Sequence, residues 1–408
     1  MVSIGKYPNP ITSRGLTQIS ATWGLIAVIV AICMAQAAQA QTYTVLHSFE
    51  YTDGAFPWGT LLSGPNGTLY GTTFTGPANS GHGSVFKLDS SGTITTLYGF
   101  TGGTDGDEPT AGVIRDAAGN FYGTTGPLET GQYGSVFKLD KTGVKTTLYI
   151  FTGSLETGGT RGNLVRDADG NLYGTVQLGL PGQGSGTVFK IDPTGTETIL
   201  HAFTGGADGG NPQAGVIRDA AGNLYGTTYA GGTQGCSASA GCGVVFKIDP
   251  TGTETVLYTF TGGADGAYPD GGLIRDAAGN LYGTTLGGGA NLDGTVFKLD
   301  PAGVETVLYS FTTGLDGDLP EGSLVRDSVG NFYGITNSGG IHGYGTIFKL
   351  DRNGNHTVLY RFKGRLTDGN NPIVGLTRDA AGNLYGTTLY GGDCSLTTGC
   401  GVVFKLTP

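Results

Sequence analysis

The sequence predicts an all-β fold: a seven-bladed β-propeller with four antiparallel strands per blade, its last blade completed by the N-terminal strand. Three observations predict it. A repeat of about 52 residues occurs seven times, turn chemistry recurs at matching places in each copy, and a strand missing from the last copy stands at the start of the mature chain.

The repeat is carried by two markers. Tyr-Gly-Thr, once Tyr-Gly-Ile, begins at Tyr70, Tyr122, Tyr173, Tyr225, Tyr282, Tyr333 and Tyr385. A second marker, Val/Ile-Phe-Lys, follows each, with its phenylalanine at Phe86, Phe137, Phe189, Phe246, Phe297, Phe348 and Phe404. A period this long without helical apolar spacing points to one β supersecondary unit per copy. Glycine makes up 78 of 408 residues, far above the roughly 7% of an ordinary chain. Because the glycines keep the period, they read as turns and close contacts and not as a low-complexity tract.

Within one copy, GGLIRD, NLYGTT, GTVFKLD and ETVLYSF read as four successive strands. Asp276 to Asn280 joins the first pair and Asp300 to Gly303 the third. Each turn offers Asp to bind backbone amides and Gly to take positive φ, the chemistry of tight hairpins. The last copy stops at Phe404 to Pro408 without its fourth strand, and Thr44 to Phe49 matches Thr306 to Phe311, so the N-terminal strand is expected to complete blade seven. Sheet edges at the ends are then paired.

RDAAGNLYGTT followed by GTVFKLDPxGxETVLYSF resembles the GloVer tandem repeat of secreted bacterial proteins, over essentially the whole mature chain. The resemblance implies an exported β-propeller and no particular reaction or ligand. Members of that family often end in a variable surface-sorting domain, hence the description choice-of-anchor, whereas this sequence ends on a blade strand.

Residues 1–40 read as a secretory signal peptide, with Lys6 and Arg14 before an apolar run from Trp23 to Ala35 and cleavage expected after Ala40. The run is too short to span a bilayer, and Ala38-Gln39-Ala40 supplies the small residues a signal peptidase needs. A lipid anchor on Cys33 would need a small residue where Ile32 stands. Residues 41–408 form the propeller, expected outside the cell, at its surface or in the periplasm. They are expected as a monomer with no membrane span. The net charge of −10 becomes −12 once Lys6 and Arg14 are removed. With no Lys/Arg cluster, this argues against nucleic acid as a partner. Cys236 with Cys242 and Cys394 with Cys400, each pair in the loop before GVVFK, are expected as two local disulfides.

One position departs from the uniformity around it. The fifth residue before the repeated Arg reads Trp58, Thr110, Arg161, Gln213, Asp270, Glu321 and Ile373 around the ring. It should sit at the mouth of the central channel, and these seven residues are the expected ligand contacts, with Trp58 able to stack on a sugar. Asp270 and Glu321, on adjacent blades, are candidate catalytic carboxylates of the kind glycoside hydrolysis uses. Asp-Gly-x-x-Pro crossings at Asp53, Asp105, Asp208, Asp265, Asp316 and Asp368 link the blades, and Ser154 to Glu156 of blade three lacks the motif. Asp105, Asp107, Asp316 and Asp318 are candidate ligands for calcium, although no EF-hand pattern is present and Asp before Gly is also ordinary turn chemistry. The arginines at 115, 166, 218, 275, 326 and 378 recur too regularly to be one active site and are expected to join blade to blade by ion pairs and hydrogen bonds. The reading is a binding module for an extracellular carbohydrate, peptide or protein. A secreted polysaccharide hydrolase or lyase and a structural envelope protein are the alternatives.

Overall fold

The structure, a computed structural model, describes residues 1, 41–77, 81–126, 134–152, 159–177, 185–232, 235–236, 241–312, 314–364, 368–394 and 398–408. The expected signal peptide with Cys33, and Ser154 to Glu156, lie outside the described residues. Tyr43–Thr407 form one compact unit; Met1–Thr42 with Pro408 form the other. No helix among the described residues is long and apolar enough to cross a membrane.

Seven four-stranded antiparallel sheets follow one another along the chain. Blade one comprises Leu62–Ser63, Leu69–Thr73, Ser84–Leu88 and Ile94–Gly99, and blades two to six repeat that order. Blade seven contains Thr377–Arg378, Leu384–Thr388 and Val402–Thr407, with Thr42–Ser48 paired to the last of these. The N-terminal strand therefore supplies the missing fourth strand.

The two markers explain themselves in the packing. The glycine of Tyr-Gly-Thr pairs with the phenylalanine of Val/Ile-Phe-Lys, as Gly71 does with Phe86, and a Cβ on Gly71 would stand 2.6 Å from the Phe86 ring. Only glycine leaves the ring its place. That phenylalanine then meets, edge to face, the phenylalanine ending the outer strand of the preceding blade. The pairs are Phe100 with Phe137, Phe151 with Phe189, Phe203 with Phe246, Phe260 with Phe297, Phe311 with Phe348, Phe362 with Phe404 and Phe49 with Phe86, at centroid separations of 5.1–5.5 Å. The last pair joins blade seven to blade one and closes the ring. Each such pair adds about 0.5–1.5 kcal/mol to the burial of its rings.

The arginines join blades differently from the expectation. Each guanidinium lies over the marker tyrosine of the preceding blade, 5.4–5.9 Å from the ring centroid: Arg115 on Tyr70, Arg166 on Tyr122, Arg218 on Tyr173, Arg275 on Tyr225, Arg326 on Tyr282 and Arg378 on Tyr333. The contact is cation–π, and the arginine's charge also acts on the Asp bound to that tyrosine, as Arg166 does on Asp116 and Arg218 on Asp167. That Asp accepts its own blade's tyrosine hydroxyl, as Asp116 does from Tyr122 at 3.0 Å.

The inner strands are shorter than GGLIRD. Six of them hold two residues, such as Ile274–Arg275, while blade six runs from Asp318 to Arg326. The residues before the short strands pack backbone to backbone around the axis instead of joining a ladder. A Cβ on Gly162 would lie 1.8 Å from the Gly215 nitrogen, and one on Gly112 would lie 2.3 Å from the Thr60 carbonyl oxygen. Neighbouring blades approach so closely here that side chains are excluded. The threonine of the marker stitches the same contact, Thr72 and Thr175 donating at 2.9 Å to the carbonyls of Ala111 and Ala214 on the next blade.

Candidate functional site

Just before this glycine collar, the chain enters the axis from each crossing. The seven residues Trp58, Thr110, Arg161, Gln213, Asp270, Glu321 and Ile373 all line one cavity of about 260 Å3. The crossings aim them. In six blades the residue before the crossing proline lies in the left-handed region without being glycine: Phe56, Glu108, Asn211, Tyr268, Leu319 and Asn371, with φ between 46° and 58°. Such a backbone is disfavoured for residues with a side chain. It turns the chain sharply, so that the second residue beyond it reaches the cavity.

One side of the cavity is basic and aromatic. The Arg161 guanidinium lies 5.5 Å from the Trp58 ring centroid, and Nη1 donates to Gln213 Oε1 at 3.5 Å. Gln213 also accepts from Gln177 Nε2. Phe74 packs 5.5 Å from Trp58. Arg161 thus covers a face of the Trp58 ring, and a flat ligand would share that ring with the guanidinium. Thr110 donates from Oγ1 to the Thr160 carbonyl at 2.7 Å, so its hydroxyl proton is used within the scaffold.

The other side is acidic. Protein atoms crowd Asp270 and Glu321, yet both face the cavity and are only half-buried by accessible surface. Burial pushes the Asp270 carboxyl well above the ordinary carboxylate range, with Arg161 pulling the other way. Burial also raises Glu321, and the Asp270 charge raises it further; a hydrogen bond from Asn337 Nδ2 and the charge of Arg161 oppose this. Two carboxyls that disfavour each other's ionisation behave as a pair that readily holds a proton. Tyr229, outside the cavity lining, feels the charge of both carboxyls. Its phenol is raised by burial, then by Asp270, Tyr268 and Glu321, and its ring stacks on Tyr268 at 5.0 Å.

Sequence reasoning found the ring but missed its surroundings. Asn337, held by Asn371 Nδ2 at 3.0 Å, orients Glu321. Asn163 accepts from the Gly112 amide at 2.8 Å. The signal for Asn163 was present: the corresponding positions hold Thr60, Gly112, Gly215, Gly272, Ser323 and Gly375.

The four carboxylates considered for calcium are engaged by protein groups. Asp105 accepts from Tyr98 Oη at 2.7 Å, the Thr101 amide at 2.9 Å and Lys145 Nζ at 3.1 Å. Asp316 accepts from Tyr309 Oη at 2.8 Å and the Thr312 amide at 3.0 Å. Asp107 lies 2.9 Å from His82 Nδ1, and Asp318 accepts from Ser338 Oγ. Among the described residues no group of three or more His, Cys, Asp or Glu side chains is arranged to hold a metal ion. Disulfides join Cys236 to Cys242 and Cys394 to Cys400, with Cα separations of 5.3 and 5.8 Å. Each fastens the loop before its VVFK strand.

A family model described as the Gloeobacter/Verrucomicrobia repeat matches residues 32–240 and 235–408. No curated protein matches the chain. Two solved structures of the extracellular domain of BT4673 from B. thetaiotaomicron are similar at 12% identity, with TM-scores of 0.55 and 0.54, over 87% and 89% of this chain. The chain spans 39% of that protein's length. Regucalcin, a calcium-binding protein from Agrobacterium tumefaciens, is more loosely similar, at 16% identity and a TM-score of 0.42 over 72% of this chain and 85% of that one. These likenesses concern the fold alone.

Proposed function

The chain belongs to the Gloeobacter/Verrucomicrobia repeat family, and from a scaffold of that family with one non-repeating axial cavity we propose an exported binding module whose ligand is the end of a carbohydrate. The observation carrying this reading is convergence: seven residues of mixed chemistry, at a position that varies from blade to blade, meet in one cavity within a repeating scaffold. Pockets that select small ligands combine apolar walls with a few placed polar groups. Here Trp58 and Ile373 supply the first, and Arg161, Gln213, Asp270 and Glu321 supply acceptors and donors for hydroxyl groups. At about 260 Å3 the space suits a group smaller than a drug-sized ligand, such as one sugar ring at a chain end. Export is supported by the two disulfides, which persist in oxidising compartments.

A glycan and peptide array probed with the wild type, Arg161→Gln and Glu321→Gln tests the reading. Selective glycan binding that each substitution weakens at least tenfold is expected. No binding, or binding indifferent to both changes, would sink it.

A second reading, hydrolysis or elimination on a polysaccharide, is favoured by Asp270 and Glu321 alone. Adjacent carboxyls with raised proton affinity fit an acid–base pair. Release of reducing ends from polysaccharide, lost in Asp270→Asn and Glu321→Gln, is the expected signature, and its absence in the wild type excludes this reading.

A further inference from the structure

The junction between blades seven and one keeps the tyrosine and carboxylate found at five of the other six junctions but lacks the arginine that all six carry. Tyr385 donates to Asp379 at 3.0 Å, as Tyr122, Tyr173, Tyr225 and Tyr282 donate to their own blade's Asp at 2.9–3.0 Å. In each of the other six junctions an arginine from the following blade covers the marker tyrosine. Here blade one places Ser63 at that position. Ser63, Gly64 and Thr68 of blade one face Asp379, Ala381 and Tyr385 of blade seven across a cavity of about 240 Å3.

The electrostatics differ accordingly. The phenols of Tyr122, Tyr173, Tyr225, Tyr282 and Tyr333 are raised by burial and by their Asp partners, and the covering arginine offsets part of that rise. Tyr385 is raised by burial, the Asp379 hydrogen bond and the Asp379 charge to about 12, with no arginine among the opposing influences. Burial works against ionisation of Asp379, but hydrogen bonds from Asn383 and Tyr385 outweigh it and hold the carboxyl below its ordinary value. A carboxylate and a π face therefore stand together beside an open space. Lys405 does not fill the arginine's place. It lies 6.0 Å from the Tyr385 ring, as Lys349 lies 6.0 Å from Tyr333, and Tyr333 carries Arg378 as well.

We propose that this seam is a binding site for a guanidinium cation, which would occupy the position that the repeat's own arginine takes at the other six junctions. The site is separate from the axial cavity and shares no lining residue with it. A guanidinium there stacks on the Tyr385 ring and lies within reach of Asp379. At a partly open site this combination corresponds to dissociation constants on the order of tens of millimolar.

The test is a titration of the full chain with N-methylguanidinium chloride, and separately with N-acetyl-arginine amide, each against sodium chloride of equal ionic strength and followed by NMR. One saturable site in the range of tens of millimolar is expected. Ser63→Arg, which supplies the missing cation covalently, should weaken binding at least tenfold and raise Tm. Arg275→Ser should open a second such junction and bring the stoichiometry to two. If that variant does not fold, the comparison of wild type with Ser63→Arg still decides. Saturation by the acetylated amide as well as by the simple cation assigns the site to arginine side chains, and saturation by the cation alone assigns it to free guanidinium compounds. No saturable binding by the wild type, or equal binding by wild type and Ser63→Arg, overturns the proposal.

Discussion

At the hairpin end of the blades, Asp116, Asp167, Asp219, Asp276, Asp327 and Asp379 each accept the same three bonds, from an Asn amide, the Asn side chain and a tyrosine hydroxyl. At the crossing end, the seven axial residues include a cation, two carboxyls, an amide, a hydroxyl and two apolar groups. The ends differ because their structural duties fall on different atoms. A hairpin aspartate is itself the structural element, since its oxygens hold the turn and anchor the tyrosine on which the next blade's arginine rests. At the crossing end the structural work belongs to the collar and, in six blades, to the crossing proline, so the axial residue's chemistry is not dictated, although Thr110 still bonds the Thr160 carbonyl. Variation is tolerated where a neighbour carries the load.

Adjacent residues test this most sharply. Gly162→Val should cost more than about 4 kcal/mol and abolish a cooperative thermal transition, because its Cβ would meet the next blade's backbone nitrogen. The neighbouring Arg161→Gln should leave Tm within about 2 °C. Equal effects of the two changes would break the division of labour. A smaller loss is expected at the stapled loop, where replacing Cys236 and Cys242 together by Ser should cost roughly 2 kcal/mol in denaturant unfolding.

At the hairpin end, Asp276→Ala should destabilise by about 1–3 kcal/mol, from three lost hydrogen bonds and an unpartnered tyrosine hydroxyl. Its pH dependence has a definite sign. Burial alone would raise the Asp276 carboxyl, but bonds from Asn280 and Tyr282 hold it below its ordinary value, as the equivalent bonds bring Asp116 down to about 2. The stability Asp276 contributes is therefore present above the unfolded value of about 4 and is lost as pH falls through its lower folded value. The axial pair has the opposite sign. Asp270 and Glu321, both raised by burial above the ordinary carboxylate range, favour the folded state when protonated, so their contribution declines as pH rises above the unfolded value of about 4. Asp270→Asn should stabilise by about 1 kcal/mol at pH 8 and have no effect at pH 4, read from Tm against pH. A destabilising effect at pH 8 would mean that the carboxylate is structural after all.

The blade count, the split last blade, the two disulfides and the axial ring were legible in the sequence because each is written as a period or a break in one. The arginine contacts were not, since Arg115 acts on Tyr70 of another blade and spacing along one chain does not show which face meets which. The short inner strands escaped because GGLIRD has strand composition, while the collar that keeps its glycines out of the ladder is formed by the neighbouring blade. The crossings ran against the local rule: a residue before proline ordinarily favours extended backbone, yet Phe56 and Tyr268 take φ of 56° and 58° there. The need to turn into the axis overrides the local preference.

The pairing of Thr42–Ser48 with Val402–Thr407 also sets an order in time. Of the described strands, the earliest made can be matched only by the latest. Six blades can form from local hairpins while the seventh waits, with a loop of the whole propeller still to be closed and one flat face of blade one still wet. Closing so long a loop is slow relative to hairpin formation. Without that pairing the Val402–Thr407 edge has no partner strand and Phe86 lacks the Phe49 ring that covers it.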